Sequence, residues 1–174
     1  VHVTLRALPG LKSLRSEAAS CALLGAFRAA TGRGFRILHF SIQTDHLHLI
    51  AEADSSGDLR RGLNGLNCRA ARALNRAWRR TGRVWGDRYH ARALATPREV
   101  RNGIAYVLLN FRKHLRAPPI VDPRSSGPWF DGWTHALERP ALPCPTVPPR
   151  SWLGSLGWRR AGGPISTHET PAGK

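Results

Sequence analysis

Methionine is missing altogether, position 1 included, lysine occurs only at Lys12, Lys113 and Lys174, and acidic residues number 11 in 174 positions. Cysteine is sparse too, with Cys21, Cys68 and Cys144 standing far apart. Such scattered thiols exclude a disulfide framework and a CxxC zinc site, and an odd count fits a reducing compartment. No run approaches the ~18 apolar residues that a spanning helix needs, and the N-terminus lacks the charged-then-apolar pattern of a secretory signal. The expectation is a cytoplasmic protein with no membrane partner. The missing methionine leaves Val1 either as a start codon read as valine or as a point within a longer chain.

What the chain has in excess is arginine. Lys+Arg number 27 against 11 Asp+Glu, a formal charge of +16 and a sequence pI near 11.6. A chain so basic seeks polyanions, and arginine grips phosphate through a planar fork of donors. Nucleic acid is the favoured partner, and a merely solvated basic surface is the plain alternative.

Composition shifts after Arg116. The remaining segment holds 11 of the 13 prolines and four of the six tryptophans, with no sustained period. Residues 117–174 therefore read as an irregular Pro/Gly/Trp-rich tail, disordered from Ala161 onward, whose Trp129–Trp133 piece staples back onto the domain or meets bases. Residues 1–116 read as one domain of alternating elements. His2–Ala7 is a strand, and Ser16–Ala30 a helix closed by Thr31-Gly32. Phe35–Ile42 and His46–Ala53 form a hairpin. A long helix over about 58–80 carries Leu59, Leu63, Leu66, Ala70, Leu74 and Ala77 on one stripe. Arg83–Leu94 supplies a last strand. Thr96-Pro97-Arg98-Glu99 then starts a final helix, with Thr as N-cap, Pro in the first turn and Glu in the capping-box position. The order is that of an α+β ferredoxin-like antiparallel sheet with helices on one face, plus one added helix.

His46-Leu47-His48 lies within an apolar strand. Alternation sends both imidazoles off one face and Leu47 and Leu49 off the other. A divalent ion satisfies such a pair, and so do ordinary hydrogen bonds. Of the two tyrosines, Tyr106 sits in the capped helix with Asn110 four residues on, so a hydroxyl and an amide share a helical face that Asn102 and Lys113 extend. Tyr106 is a candidate nucleophile or a border residue of an amphipathic helix. Trp78 and Trp85 are candidates for base stacking or, more plainly, for packing.

Three segments carry a resemblance: Thr44-Asp45-His46-Leu47-His48-Leu49-Ile50, Val84-Trp85-Gly86-Asp87-Arg88-Tyr89-His90 and Ala105-Tyr106-Val107-Leu108-Leu109-Asn110. In order and spacing residues 1–116 resemble the REP-associated and related single-tyrosine HUH transposases. The resemblance implies His46 and His48 as ligands of a divalent metal, Mg²⁺ or Mn²⁺, with Asn110 as the third ligand and Tyr106 as the nucleophile. Tyr89 is the fallback nucleophile. It also implies cleavage and rejoining of single-stranded or hairpin DNA through a 5′-phosphotyrosine, by a monomer or homodimer. Arg60, Arg61, Arg69, Arg72, Arg76, Arg79, Arg80, Arg83, Arg88 and Lys113 are the expected DNA contacts. This chain departs from the family where Phe111 follows Asn110 in place of proline, which would let the helix run to about His114. Two rival readings stay open: a non-catalytic basic DNA- or RNA-binding module on the same fold, and an HxH hydrolase that activates water, for which the sequence offers no obvious carboxylate general base.

Overall fold

The computed structural model describes residues 1–32, 34–112 and 121–170. Strands β1 (His2–Arg6), β2 (Phe35–Ile42), β3 (His46–Ala53) and β4 (His90–Arg92) form one antiparallel sheet in the order β2-β3-β1-β4. Helices α1 (Glu17–Ala30) and α2 (Ser56–Trp78) connect them, and α3 (Pro97–Leu109) follows β4. This is the ferredoxin-like order read from the sequence. The last strand is shorter than the expected Arg83–Leu94. The chain before it is occupied with loop closure, where Arg83 donates to the carbonyls of Trp85 and Gly86.

Strand alternation divides the molecule into two layers. Val3, Leu5, Phe40, Ile42, Leu47 and Leu49 leave one face and pack with Leu23 and Phe27 of α1 and Leu63, Leu66, Ala70 and Leu74 of α2. Helix α2 approaches closely at Gly62, where a Cβ would stand 2.2 Å from the Phe35 ring. Its N-cap is Ser55, whose hydroxyl accepts from Asp58 N, and it ends at Arg79 in the left-handed region with φ 53°.

Helices α1 and α2 cover one face as expected, and the added helix α3 takes the other. Val100, Ile104, Ala105, Val107 and Leu108 of α3 pack with Leu38 and Ile50 on the opposite face. Leu38 occupies a register shift between Ile37 and His39, which adds its side chain to that layer. The predicted N-terminal signal of α3 is present in full: Thr96 Oγ1 accepts from Glu99 N, and the Glu99 carboxylate accepts from Thr96 N.

The segment after residue 120 completes this second layer. Phe130, Trp133, Trp158 and Ile165 are buried against α3, so the tryptophan-rich piece does staple onto the domain. Its backbone also lies along the outer edge of β2, with Ile42 N donating to Arg124 O and Ser126 N to Phe40 O, which covers an otherwise open sheet edge. Secondary structure there is scant: a 3-10 turn at Gly127–Trp129, the one-turn α4 (Trp152–Ser155) and a 3-10 turn at Gly157–Ala161. The expected disorder from Ala161 onward does not extend to residues 161–170. Ile165 is fully buried and pairs with the backbone of Gly132 and Thr134, and Glu169 forms a two-pronged ion pair with Arg101 of α3. Low regularity concealed this order, because the packing is supplied by a few large side chains and not by a repeating stripe.

Candidate active site

The register of β1 on β3 decides what surrounds the histidines. His2 stands opposite Ile50, Thr4 opposite His48 and Arg6 opposite His46. Directly paired residues share a face, so His2, Thr4, His46 and His48 converge on the side covered by α3. Leu47 and Leu49 point into the α1/α2 layer and anchor the strand there.

His46 and His48 are each 4% exposed, with their Nε2 atoms 3.1 Å apart. The other ring nitrogens have partners of their own. His46 Nδ1 lies 2.7 Å from Asp45 Oδ1, and a carboxylate only accepts, so the proton sits on Nδ1 and the Nε2 lone pair faces inward. Hydrogen bonding to the His46 ring, aided by the nearby Arg6 charge, holds the Asp45 carboxyl below the usual range. His48 Nδ1 lies 3.2 Å from both Thr4 Oγ1 and His2 Nε2. The hydroxyl accepts or donates by rotating, so His48 can take either tautomer without losing its partner. Partners of this kind orient metal-ligating imidazoles elsewhere.

Helix α3 brings the remaining groups. The half-buried Tyr106 ring stands edge-on to His48 and His2, with centroids 5.2 Å and 5.5 Å away. Asn110, one turn later and 2% exposed, caps the helix and places Nδ2 3.5 Å from His48 Nε2. A half-turn of that amide presents Oδ1 in the same direction. The expected continuation of the helix toward His114 lies outside the described residues, as does Lys113.

These groups fit a divalent cation. Ligand bonds of about 2.0–2.1 Å put neighbouring donors about 2.9–3.4 Å apart, between a right angle and the tetrahedral angle. The two Nε2 atoms stand 3.1 Å apart. Among the described residues no group of three or more His, Cys, Asp or Glu is placed to hold a metal ion, so the candidate set is two imidazoles and one amide.

Residues 24–107 match a family model described as "Transposase IS200 like". The family resemblance read from the three sequence segments is borne out over that stretch, which contains His46, His48 and Tyr106. A solved structure described as "Structure of the REP associates tyrosine transposase bound to a REP hairpin" is similar over 67% of this chain and 68% of that one, at 18% identity and a TM-score of 0.48. A search of the curated proteins found none that matches.

The other expected site residues fall elsewhere. Tyr89 packs against the α1/α2 layer, on the opposite side of the sheet from the histidines. Arg60, Arg61, Arg69, Arg72 and Arg76 lie on α2, and Arg79 and Arg80 at its end, on the other side of the sheet from the histidines. The long amphipathic helix hid this, because its apolar stripe says that it packs and not on which face. Arg80 is engaged with Asn75 and the Arg83 carbonyl, and Arg88 is exposed in the loop before β4. His2, Thr4 and Asp45 were not singled out by the sequence reading. Alternation in His2-Val3-Thr4 was the available signal for the first two, and only the cross-strand register shows where they point.

No helix among the described residues is long and apolar enough to cross a membrane.

Proposed function

We propose that the chain is a metal-dependent HUH endonuclease and transposase that cleaves and rejoins single-stranded or hairpin DNA through a 5′-phosphotyrosine. The observation that carries this reading is the shared face: inward Nε2 atoms of His46 and His48, the Asn110 amide and the Tyr106 ring meet beneath one helix of the same chain. The IS200-like match over residues 24–107 supports the reaction class.

In this reading His46 and His48, through Nε2, and Asn110, through its amide oxygen, hold Mg²⁺ or Mn²⁺. When bound, the cation neutralises phosphate charge and polarises the scissile P–O bond. Tyr106 supplies the nucleophile. Its phenol oxygen forms a bond to phosphorus, the bond from phosphorus to the 3′ oxygen breaks, the phenol proton passes to water and the departing 3′ oxygen takes up a proton. The products are a 5′-phosphotyrosine and a free 3′-OH. Attack by a 3′-OH on that linkage restores the phosphodiester and frees Tyr106, so strand transfer conserves the bond energy without a nucleotide cofactor. The rigid helix contributes orientation: Tyr106 and Asn110 are one turn apart on α3, which fixes the nucleophile relative to the metal ligands. Edge-on contact with His2 and His48 restricts the phenol ring. Proximity within one chain supports attack by Tyr106 in its own subunit, whether as monomer or homodimer.

The test is incubation with Mn²⁺ and a pool of labelled hairpin and single-stranded oligonucleotides, followed by denaturing electrophoresis. A protein–DNA adduct is expected, retained in Tyr89→Phe and lost in Tyr106→Phe and His48→Ala. DNA binding with no adduct across the pool would replace this reading with that of a basic binding module.

A further inference from the structure

One polar side chain beside the histidines is neither exposed nor satisfied. Gln43 follows β2 directly and is 1% exposed. Its backbone N–H donates to the His46 carbonyl, and in the register of β2 on β3 Ser41 stands opposite His48 and Ile42 opposite Leu47. Paired residues share a face, so Gln43 extends the pairing opposite His46, on the side of the sheet where the two imidazoles lie. Its amide is held in place: Nε2 donates to Ser41 Oγ at 2.6 Å, and Ser41 is fully buried. The amide therefore lies along β2 between the positions opposite His46 and His48. Its other atom, Oε1, is buried and among the described residues has no hydrogen-bond partner.

We infer that Gln43 is a further ligand of the cation site, giving its amide oxygen to the ion held by His46, His48 and Asn110. This assignment rests on the metal-dependent reading above and adds a residue to it. A buried carbonyl without a donor costs stability, and such groups are rare in folded proteins. What satisfies this one comes from outside the chain. An amide oxygen accepts and never donates, so a phosphate oxygen, which also accepts, does not satisfy it. A divalent cation does. Side chains directly opposite on neighbouring strands have Cβ atoms about 4.5–5.5 Å apart, a gap that glutamine and histidine span. Lone pairs from two adjacent strands thus meet on one face, a concentration of acceptors that suits a cation and not an anion. Mg²⁺ and Mn²⁺ are hard ions that take carbonyl oxygens, whereas imidazole suits zinc and other transition metals. Two amide oxygens with two imidazoles shift the donor set toward oxygen, and so toward Mg²⁺ or Mn²⁺. Ser41 is a positioning residue here: it holds the Gln43 amide by its nitrogen and leaves the oxygen free to turn to the ion.

The experiment measures Mn²⁺ binding to the full chain in the absence of DNA, by electron paramagnetic resonance, for wild type, Gln43→Leu, Gln43→Glu and His48→Ala. Leucine removes the oxygen at similar volume, and Mn²⁺ affinity should fall by about 10–100-fold or more, the range seen when even a supporting group of a metal site is lost. Its melting temperature in EDTA should stay close to that of wild type, because an unsatisfied carbonyl is exchanged for an unsatisfied Ser41 hydroxyl. Glutamate keeps an oxygen in place and adds charge. In EDTA the Gln43→Glu protein should melt below wild type, since its buried carboxyl lacks a counter-charge, and Mn²⁺ should raise its melting temperature more than it raises that of wild type. An amide with a merely structural role produces no such metal-dependent rescue. Gln43→Leu protein that binds Mn²⁺ as tightly as wild type, while His48→Ala does not, overturns the inference, assigns the oxygen to a water or a nucleobase and leaves the histidine site standing. Gln43→Glu protein whose melting responds to Mn²⁺ no more than wild type overturns it as well. Weakened Mn²⁺ binding in Gln43→Leu, together with no tyrosine adduct across the oligonucleotide pool, would refute the transferase reading and keep Gln43 as a ligand. Wild type that binds no Mn²⁺ overturns both.

Discussion

Replacing Asp122 by alanine cuts one link between the proline-rich segment and the rest of the domain. The Asp122 side chain is fully buried and receives both Nη atoms of Arg15, at 2.7 Å and 2.8 Å, together with the backbone N–H of Arg124 at 2.9 Å. Arg15 also donates to the Ile42 carbonyl at the end of β2. Removing the carboxylate leaves a guanidinium that is only 18% exposed without its anion. Loss of one partner from a buried pair costs about 3–5 kcal/mol. The residual bond to Ile42 and partial exposure of Arg15 put the expected value at the lower end, about 3 kcal/mol. For a chain of this size each kcal/mol lowers Tm by about 2–4 °C, so the melting temperature should drop by about 6–12 °C. Urea titration gives the free energy and calorimetry the Tm. The double variant Arg15→Met, Asp122→Leu supplies the control. With neither charge left behind it should recover more than half of the loss, because replacing a buried pair by apolar groups is far cheaper than orphaning one member. An Asp122→Ala protein within about 1 kcal/mol of wild type, the median worth of an exposed pair, would refute the docked arrangement.

Three further outcomes are expected. Burial pushes the His39 imidazole from 6.5 down to about 4, so the folded state binds fewer protons than the unfolded chain between those values. Its contribution is present above pH 6.5 and is lost as pH falls toward 4, by at most about 3 kcal/mol. Urea melts of His39→Gln across that range should show a flatter pH dependence than wild type, and equal slopes would contradict it. Gly62→Ala drives a methyl into the Phe35 ring and should destabilise by about 1–3 kcal/mol in the same melts, beyond anything helix propensity returns. Asp45→Ala removes the acceptor that fixes the His46 tautomer. Manganese affinity, read by electron paramagnetic resonance, should weaken about 10–100-fold, and an unchanged affinity would show that the carboxylate does not orient that ring.

Much of the architecture was readable residue by residue. Two β-rich runs around a short turn marked β2 and β3, the stripe from Leu59 to Ala77 marked α2, and Thr96-Pro97-Arg98-Glu99 marked the start of α3 to the residue, because a capping box is a local device. His46, His48, Tyr106 and Asn110 were legible as candidates for the same reason: spacing of two in a strand and four in a helix puts side chains on one face. Locality fails where an element must choose a partner. The side of the sheet taken by α2 and α3 depends on which face the loops allow each to reach. That choice moved seven arginines away from the histidines and brought Tyr106 to them while leaving Tyr89 behind the sheet.

The amino-acid order by itself determined the elements, their caps, the excess of arginine and the pairs His46/His48 and Tyr106/Asn110, since each follows from dihedral preference and periodicity within a dozen residues. Only the tertiary structure decided that His2, Thr4 and Asp45 surround the histidines, that residues 121–170 complete the second core and cover the β2 edge, and that the α2 arginines and the tyrosine occupy opposite sides. Those outcomes depend on cross-strand register and on burial between distant segments. Both are collective free-energy minima of the whole chain and leave no mark in any one stretch of it.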